Sequence, residues 1–143
     1  YLWAQLEIAD EIYNNRMKTW KMYYDGLEEL SKSEKIELPY IPKECTHNAH
    51  MFYIKTRDLE ERTKLIAYMN SKGIRLVFHY VPLHTAPAGR KYGEFVGTER
   101  YTTKESERIV RLPIYYGMKE IDTERVISSL FDFYKNEPGT KKR

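Results

Sequence analysis

The sequence has little of what makes a function easy to read. Its single cysteine, Cys45, excludes an internal disulfide and a cysteine-based zinc pattern, and favours a reducing, cytoplasmic setting. No apolar run approaches the ~20 residues of a bilayer-spanning helix, and no secretory leader pattern is visible, so no membrane role is expected. Charge of either sign is not in large excess. Lysine and arginine number 24 against 21 acids, for a formal net charge of +3, with both signs interspersed. That balance is too mild to point to nucleic acid. There is no Ser-His-Asp set, nucleophile elbow, paired-carboxylate site, phosphate-cradling P-loop or dinucleotide fingerprint. Internal repeats and low-complexity tracts are also missing.

What is present fits one ordinary globular domain. The chain has 143 residues, 41% of them hydrophobic and 31% charged. A domain near this size buries roughly two-thirds of its unfolded surface. Thirteen tyrosines suit half-buried sheet positions and interfaces, with one apolar end and one that hydrogen-bonds.

Residues 2 to 31 read as one long helix. Leu2, Leu6, Ala9, Tyr13, Met17, Trp20, Tyr24 and Leu27 fall at steps of three and four on one stripe. Thirty helical residues span roughly 45 Å, more than a small domain needs, so residues 1–33 are expected to bridge to a neighbour. The chain opens on Tyr1-Leu2-Trp3 inside that pattern, with neither an initiator methionine nor a cap before it. This predicts that the sequence is part of a longer protein. Pro39 and Pro42 mark an extended connector, and Ala49 to Ile54 reads as a strand. Asp58 with Glu61 forms a capping box for a helix buried through Leu59, Leu65, Ile66 and Met69 and stopped by Gly73. Ile74 to Val81 is a second strand, stopped by Pro82.

A long glycine-punctuated loop follows. Then Thr102 with Glu105 opens a short helix to about Val110, and Leu112 to Tyr115 makes a brief strand. Asp122 caps a last helix with Val126, Ile127, Leu130, Phe131 and Tyr134 on its apolar face. The order predicts an α+β fold, a small and mostly antiparallel sheet with helices on one face, over residues 34–137. A parallel βαβ pair between Ala49 and Val81 is the competing reading. Residues 138–143, ending in Lys141-Lys142-Arg143, read as a solvated basic tail.

Candidate binding residues cluster around the loop. His79, Tyr80 and His84 sit at its start; on a strand His79 and Tyr80 point to opposite faces, and only a bend brings both histidines to one site. No third ligand at suitable spacing supports a metal, and none is assigned. The plain alternative is one buried histidine and one exposed. His47 and His50 read as structural residues on opposite faces of a strand entrance. Long irregular loops in compact domains are uncommon and often bind ligands. Arg90, Lys91 and Arg100 offer this one cations for an anion, although a mobile surface loop is the bland reading. Arg108 and Arg111 flank the end of the short helix; Arg111, just before Leu112-Pro113, is placed to reach a phosphate or carboxylate bidentately, with surface ion pairing as the plain alternative.

HYVPLH followed by APAG, KYGEFVG, TTKESER and RLP, with YLWAQLEIADEIYNNR and NAHMFYIK upstream, resembles the C-terminal domain of sugar-nucleotide aminotransferases. These are pyridoxal 5'-phosphate enzymes of fold type I, and the resemblance covers the whole chain. Within the family, PAGRKYGEFVGTERYTTKES resembles most the group of dTDP-4-amino-4,6-dideoxygalactose transaminases. The resemblance implies glutamate as amino donor, dTDP-4-keto-6-deoxyglucose as acceptor, and a homodimer. It also implies a cofactor lysine and a cofactor-pairing aspartate in a large domain upstream, so that this chain alone is inactive and carries no catalytic residue. His79, Tyr80 and His84 would face the sugar, with Tyr80 or His84 bonding a hexose hydroxyl or diphosphate oxygen. Arg90, Lys91 and Arg111 would contact phosphate. Two alternatives stay open: a non-catalytic binding module for a phosphorylated ligand or a partner protein, and an aminotransferase for a UDP- or GDP-linked keto-sugar.

Overall fold

The computed structural model describes residues 2–136, so the predicted basic tail at 138–143 lies outside the described residues. The fold is α+β: a three-stranded antiparallel sheet with helices against one face. The expected long N-terminal helix is broken into α1 (Leu2–Glu7), α2 (Ala9–Gly26) and α3 (Glu28–Lys32). At the first break the Ile8 N–H bonds Gln5 O, three residues back, instead of continuing the four-residue ladder. At the second, Leu27 turns fully into the core. The buried stripe runs through Trp20, Tyr23, Leu27 and Leu30, so Tyr23 takes the inner place expected for Tyr24. The Tyr23 phenol donates to Pro113 O at 2.8 Å. Leu2, Leu6 and Tyr13, expected on the same apolar stripe, are exposed.

Strand β1 (Phe52–Lys55) starts later than predicted, because the chain takes a left-handed turn at Ala49, with φ of 51°. Helix α4 (Leu59–Ser71) follows. Asp58 caps it by accepting the Glu61 N–H at 2.9 Å. The Glu61 carboxylate does not complete the expected box; it is buried and accepts the Tyr134 hydroxyl at 2.7 Å. Leu65 and Met69 enter the core, while Leu59 is exposed.

Strand β2 is only Val77–Phe78, much shorter than the predicted run from Ile74 to Val81. The Ile74 N–H is already taken by Met69 O at the end of α4, and Ile74 and Leu76 are buried in the helix-covered core. Past Phe78 the chain leaves the ladder, and the His79–Tyr80 peptide bond is cis.

The stretch expected to be irregular carries its own structure: a 3₁₀ turn at Leu83–Thr85 and helix α5 (Pro87–Tyr92), with proline at its start. Gly89 is required here by close approach, since a Cβ on it would lie 1.7 Å from the Leu83 carbonyl oxygen. Helix α6 (Thr102–Arg108) lacks the predicted Thr102 cap. Glu99 accepts the Thr103 N–H at 2.9 Å, and Glu105 turns instead to Lys55 at 2.6 Å.

Strand β3 (Ile109–Leu112) comes three residues earlier than expected and lies between the other two. It pairs antiparallel with both, through Phe52↔Leu112 and Tyr53↔Arg111 on one side and Val77↔Arg111 on the other. The adjacent parallel βαβ pair is therefore overturned: β1 and β2 run the same way but β3 separates them. Helix α7 (Glu120–Asn136) begins two residues before Asp122 and buries Val126, Leu130, Phe133 and Tyr134, with Ile127 and Phe131 partly covered.

The buried Glu61–Tyr134 bond ties α4 to α7. Replacing Tyr134 with Phe leaves a buried carboxylate short of a donor, and should cost about 1–3 kcal/mol in denaturant unfolding. An unchanged midpoint would show that the bond contributes nothing.

Candidate functional site

Alternation along the strands sorts the sheet into two faces. Phe52, Ile54, Val110 and Leu112 are buried under the helices, whereas Tyr53, Lys55, Ile109 and Arg111 on the other face are only half-buried. Val77 pairs across from Arg111, and His79, two residues on, follows Val77 on the less covered side.

Arg111 and His79 are brought together there. Arg111 Nη1 donates to His79 Nδ1 at 3.2 Å. Guanidinium is donor-only, so Nδ1 carries no proton and Nε2 carries one. His79 is thus a neutral imidazole with a defined donor. Burial, then the Arg111 cation and the nearby His50, hold its pKa below the ordinary histidine value. His50 therefore belongs to this neighbourhood, although the sequence reading set it aside as structural. The turn at Ala49 breaks the strand parity on which that reading rested. His47 is structural as expected: its ring lies 4.4 Å from Trp20, and its Nδ1 accepts the Ala49 N–H at 3.3 Å.

His79 and Tyr80 do not point apart as strand alternation predicts. Their ring centroids are 4.0 Å apart, beside the cis peptide bond that joins them. Tyr80 is exposed.

His84 lies in a different place, on the 3₁₀ turn, with Nε2 3.3 Å from Thr103 Oγ1 and its ring 4.9 Å from Phe95. It lines a groove of about 530 Å3 formed with α5 and the residues after it. Arg90 and Lys91 are on α5, and both are exposed. A second hollow of about 690 Å3 runs between α2 and the approach to β1, past Tyr13, Trp20, His47, His50 and Tyr53. Among the described residues, no three histidine, cysteine, aspartate or glutamate side chains gather as metal ligands.

The basic residues divide by partner. Arg108 is spent on structure: it pairs with Glu37 and Glu105, and its Nε donates to Thr56 O at 2.8 Å. Arg111 has no carboxylate partner among the described residues. Lys55, on the half-buried sheet face, is bonded to Glu105, which raises its pKa. A lysine that must form an imine needs the reverse, an amine that gives up its proton readily. Lys55 therefore does not fit the covalent anchor of an aldehyde cofactor. The less covered sheet face offers a guanidinium and an imidazole, and the groove at α5 offers a second imidazole and aromatic rings.

Residues 1–131 match the DegT/DnrJ/EryC1/StrS aminotransferase family. The chain belongs to this family. It is 30% identical over 134 residues to an uncharacterised protein of Methanocaldococcus jannaschii, covering 88% of this chain and 33% of that protein. Its fold superposes on DesV of S. venezuelae, solved with a ketimine intermediate, with a TM-score of 0.80 at 22% identity over 96% of this chain and 36% of that one. It is also similar to NtdA of Bacillus subtilis, solved with bound PMP, at a TM-score of 0.73 and 25% identity, covering 87% and 29% of the two chains. The chain thus spans about a third of the length of the family members it matches. No helix among the described residues is long and apolar enough to cross a membrane.

The His79–Arg111 pair gives a direct titration test. In NMR, His79 should titrate below the ordinary histidine value, and Arg111→Met should move its pKa upward by removing the adjacent cation. An unchanged pKa in that variant would mean that Arg111 does not hold His79 neutral.

Proposed function

We propose that this chain is the small C-terminal domain of a pyridoxal 5'-phosphate-dependent sugar-nucleotide aminotransferase. In this reading the complete enzyme moves the amino group of glutamate to dTDP-4-keto-6-deoxyglucose. It is cytoplasmic and works as a homodimer. Residues 1–33 bridge to the rest of the enzyme, 34–137 form the small domain, and 138–143 are a tail. Membership of the aminotransferase family supports this, and so do the likenesses in fold to solved sugar aminotransferases.

The observation that carries the substrate reading is the Arg111–His79 pair on the thinly covered sheet face. A guanidinium without a carboxylate partner suits a phosphate or carboxylate, and the adjacent Nε2–H of His79 suits a sugar oxygen. Tyr80 and His84 add a phenol and an imidazole for hexose hydroxyls or diphosphate oxygens. Arg90 and Lys91 add positive charge for the diphosphate. These groups bind and orient the acceptor, and the exposed side chains of Val81 and Leu83 help to exclude water when the two domains meet. The transfer itself is assigned to groups outside this chain.

The test is the complete enzyme with glutamate and dTDP-, UDP- or GDP-linked 4-keto-6-deoxyhexoses, read by mass spectrometry of the amino-sugar. The dTDP substrate should be converted fastest. Faster conversion of a UDP or GDP substrate would overturn the nucleotide assignment, and no amination of any of them would favour a non-catalytic binding module. Tyr80→Phe should raise KM by about three- to ten-fold, the worth of one hydrogen bond, with kcat little changed.

A further inference from the structure

We infer that Asn48 is a positioning residue for the proposed reaction: its side-chain oxygen holds the His50 imidazole in the Nδ1–H form, which leaves Nε2 as a hydrogen-bond acceptor for a hydroxyl of the keto-sugar. The sugar contact rests on the proposed function; the tautomer rests on this chain alone.

The segment 47–50 is pinned rather than loose. Ala49 is 2% exposed and turns left-handed, with φ of 51°. His47, packed against Trp20, accepts the Ala49 N–H, and Asn48 accepts the next backbone N–H along. Asn48 Oδ1 lies 3.2 Å from the His50 backbone nitrogen and 2.9 Å from His50 Nδ1. A backbone N–H can donate only to the oxygen of an amide, so this contact fixes which end of Asn48 faces His50. That oxygen has no proton to give. The Nδ1 contact therefore needs its proton on the ring, and the neutral imidazole keeps a bare Nε2. Among the described residues Nε2 has no hydrogen-bond partner.

His79 is the opposite case. Arg111 donates to its Nδ1, which puts the proton on Nε2. One imidazole thus donates from Nε2 and the other accepts there. They lie near enough for His50 to disfavour charge on His79.

His50 lines the hollow of about 690 Å3 together with Tyr53, and Tyr53 is the direct cross-strand neighbour of Arg111. The hollow thus reaches the strand position beside Arg111. Its lining has aromatic rings, an amide and hydroxyls, but no carboxylate, ammonium or guanidinium. Glutamate, the amino donor, would bring an ammonium and two carboxylates to a lining without counter-charges. A hexose brings neutral hydroxyls and an apolar ring face, which suit it.

The experiment has two arms, both on the complete enzyme. In the first, histidine rings are labelled with nitrogen-15, and His50 is assigned by the signal lost in His50→Ala. At a pH where the ring is neutral, NMR should show a protonated Nδ1 and a bare Nε2. Asn48→Ala should mix the two tautomers, and Asn48→Asp, which keeps the oxygen, should restore the first. In the second arm, KM for the dTDP-linked keto-sugar is measured in a double-mutant cycle. Asn48→Ala should raise KM by about two-fold or more, since halving the competent tautomer halves apparent affinity. His50→Ala should raise it by about three- to ten-fold, the worth of one hydrogen bond. With His50 already alanine, Asn48→Ala should add nothing, whereas a merely structural Asn48 would give additive losses. Both side chains are exposed, so these variants are expected to fold, with circular dichroism as the check. A proton on Nε2 of wild-type His50, or additive losses in the cycle, would overturn the inference and leave the proposed function standing. An enzyme that aminates none of the keto-sugars overturns the proposed function and the sugar contact with it, and the first arm still decides the tautomer.

Discussion

One-sided coverage of a three-stranded sheet is the constraint from which the rest follows. Phe52, Ile54, Val110 and Leu112 point into a core shared with α2, α4 and α7, and they are almost completely buried. Alternation then forces Tyr53, Arg111 and their neighbours onto the other face, where this chain places little over them. A sheet face that is half apolar and half cationic is an incomplete surface. The relatives that this chain matches are about three times its length.

Electrostatics sharpen that picture. The chain satisfies the cations it uses for structure: Arg108 joins Thr56, Glu37 and Glu105, and Lys55 is fixed by Glu105. Arg111 is treated differently. Its recorded side-chain partner is a neutral imidazole, which accepts a hydrogen bond without cancelling charge. A half-buried guanidinium left with its charge is costly in isolation and useful beside an incoming anion. The same contrast separates Arg90 and Lys91 on α5 from the paired lysines on α3 and α4.

The fold class, the identities of most elements and the family were legible in the sequence, because periodicity and motif both survive in local residue order. Asp58 marks a helix start whatever surrounds it, and Gly73, at φ of 72°, marks the end. What was not legible depends on long-range partners. Glu61 and Glu105 both had the spacing of capping boxes, yet Tyr134 and Lys55, distant in sequence, offered better partners. The insertion of β3 between β1 and β2 is set by packing that no local pattern encodes. The site was half visible. Residue types picked out His79 and Arg111, but their contact needed the register Val77↔Arg111, and His50 was hidden by the turn at Ala49. The glycine-punctuated stretch reads as a loop, yet Gly89 within it serves contact between two short helical segments.

Hydrogen–deuterium exchange on the complete enzyme, with and without a saturating dTDP-linked keto-sugar, tests the central claim most directly. The account predicts slower exchange in peptides covering 77–95 and 109–112, with α7 unaffected. Saturation of the enzyme with no change in exchange across those two segments would contradict it.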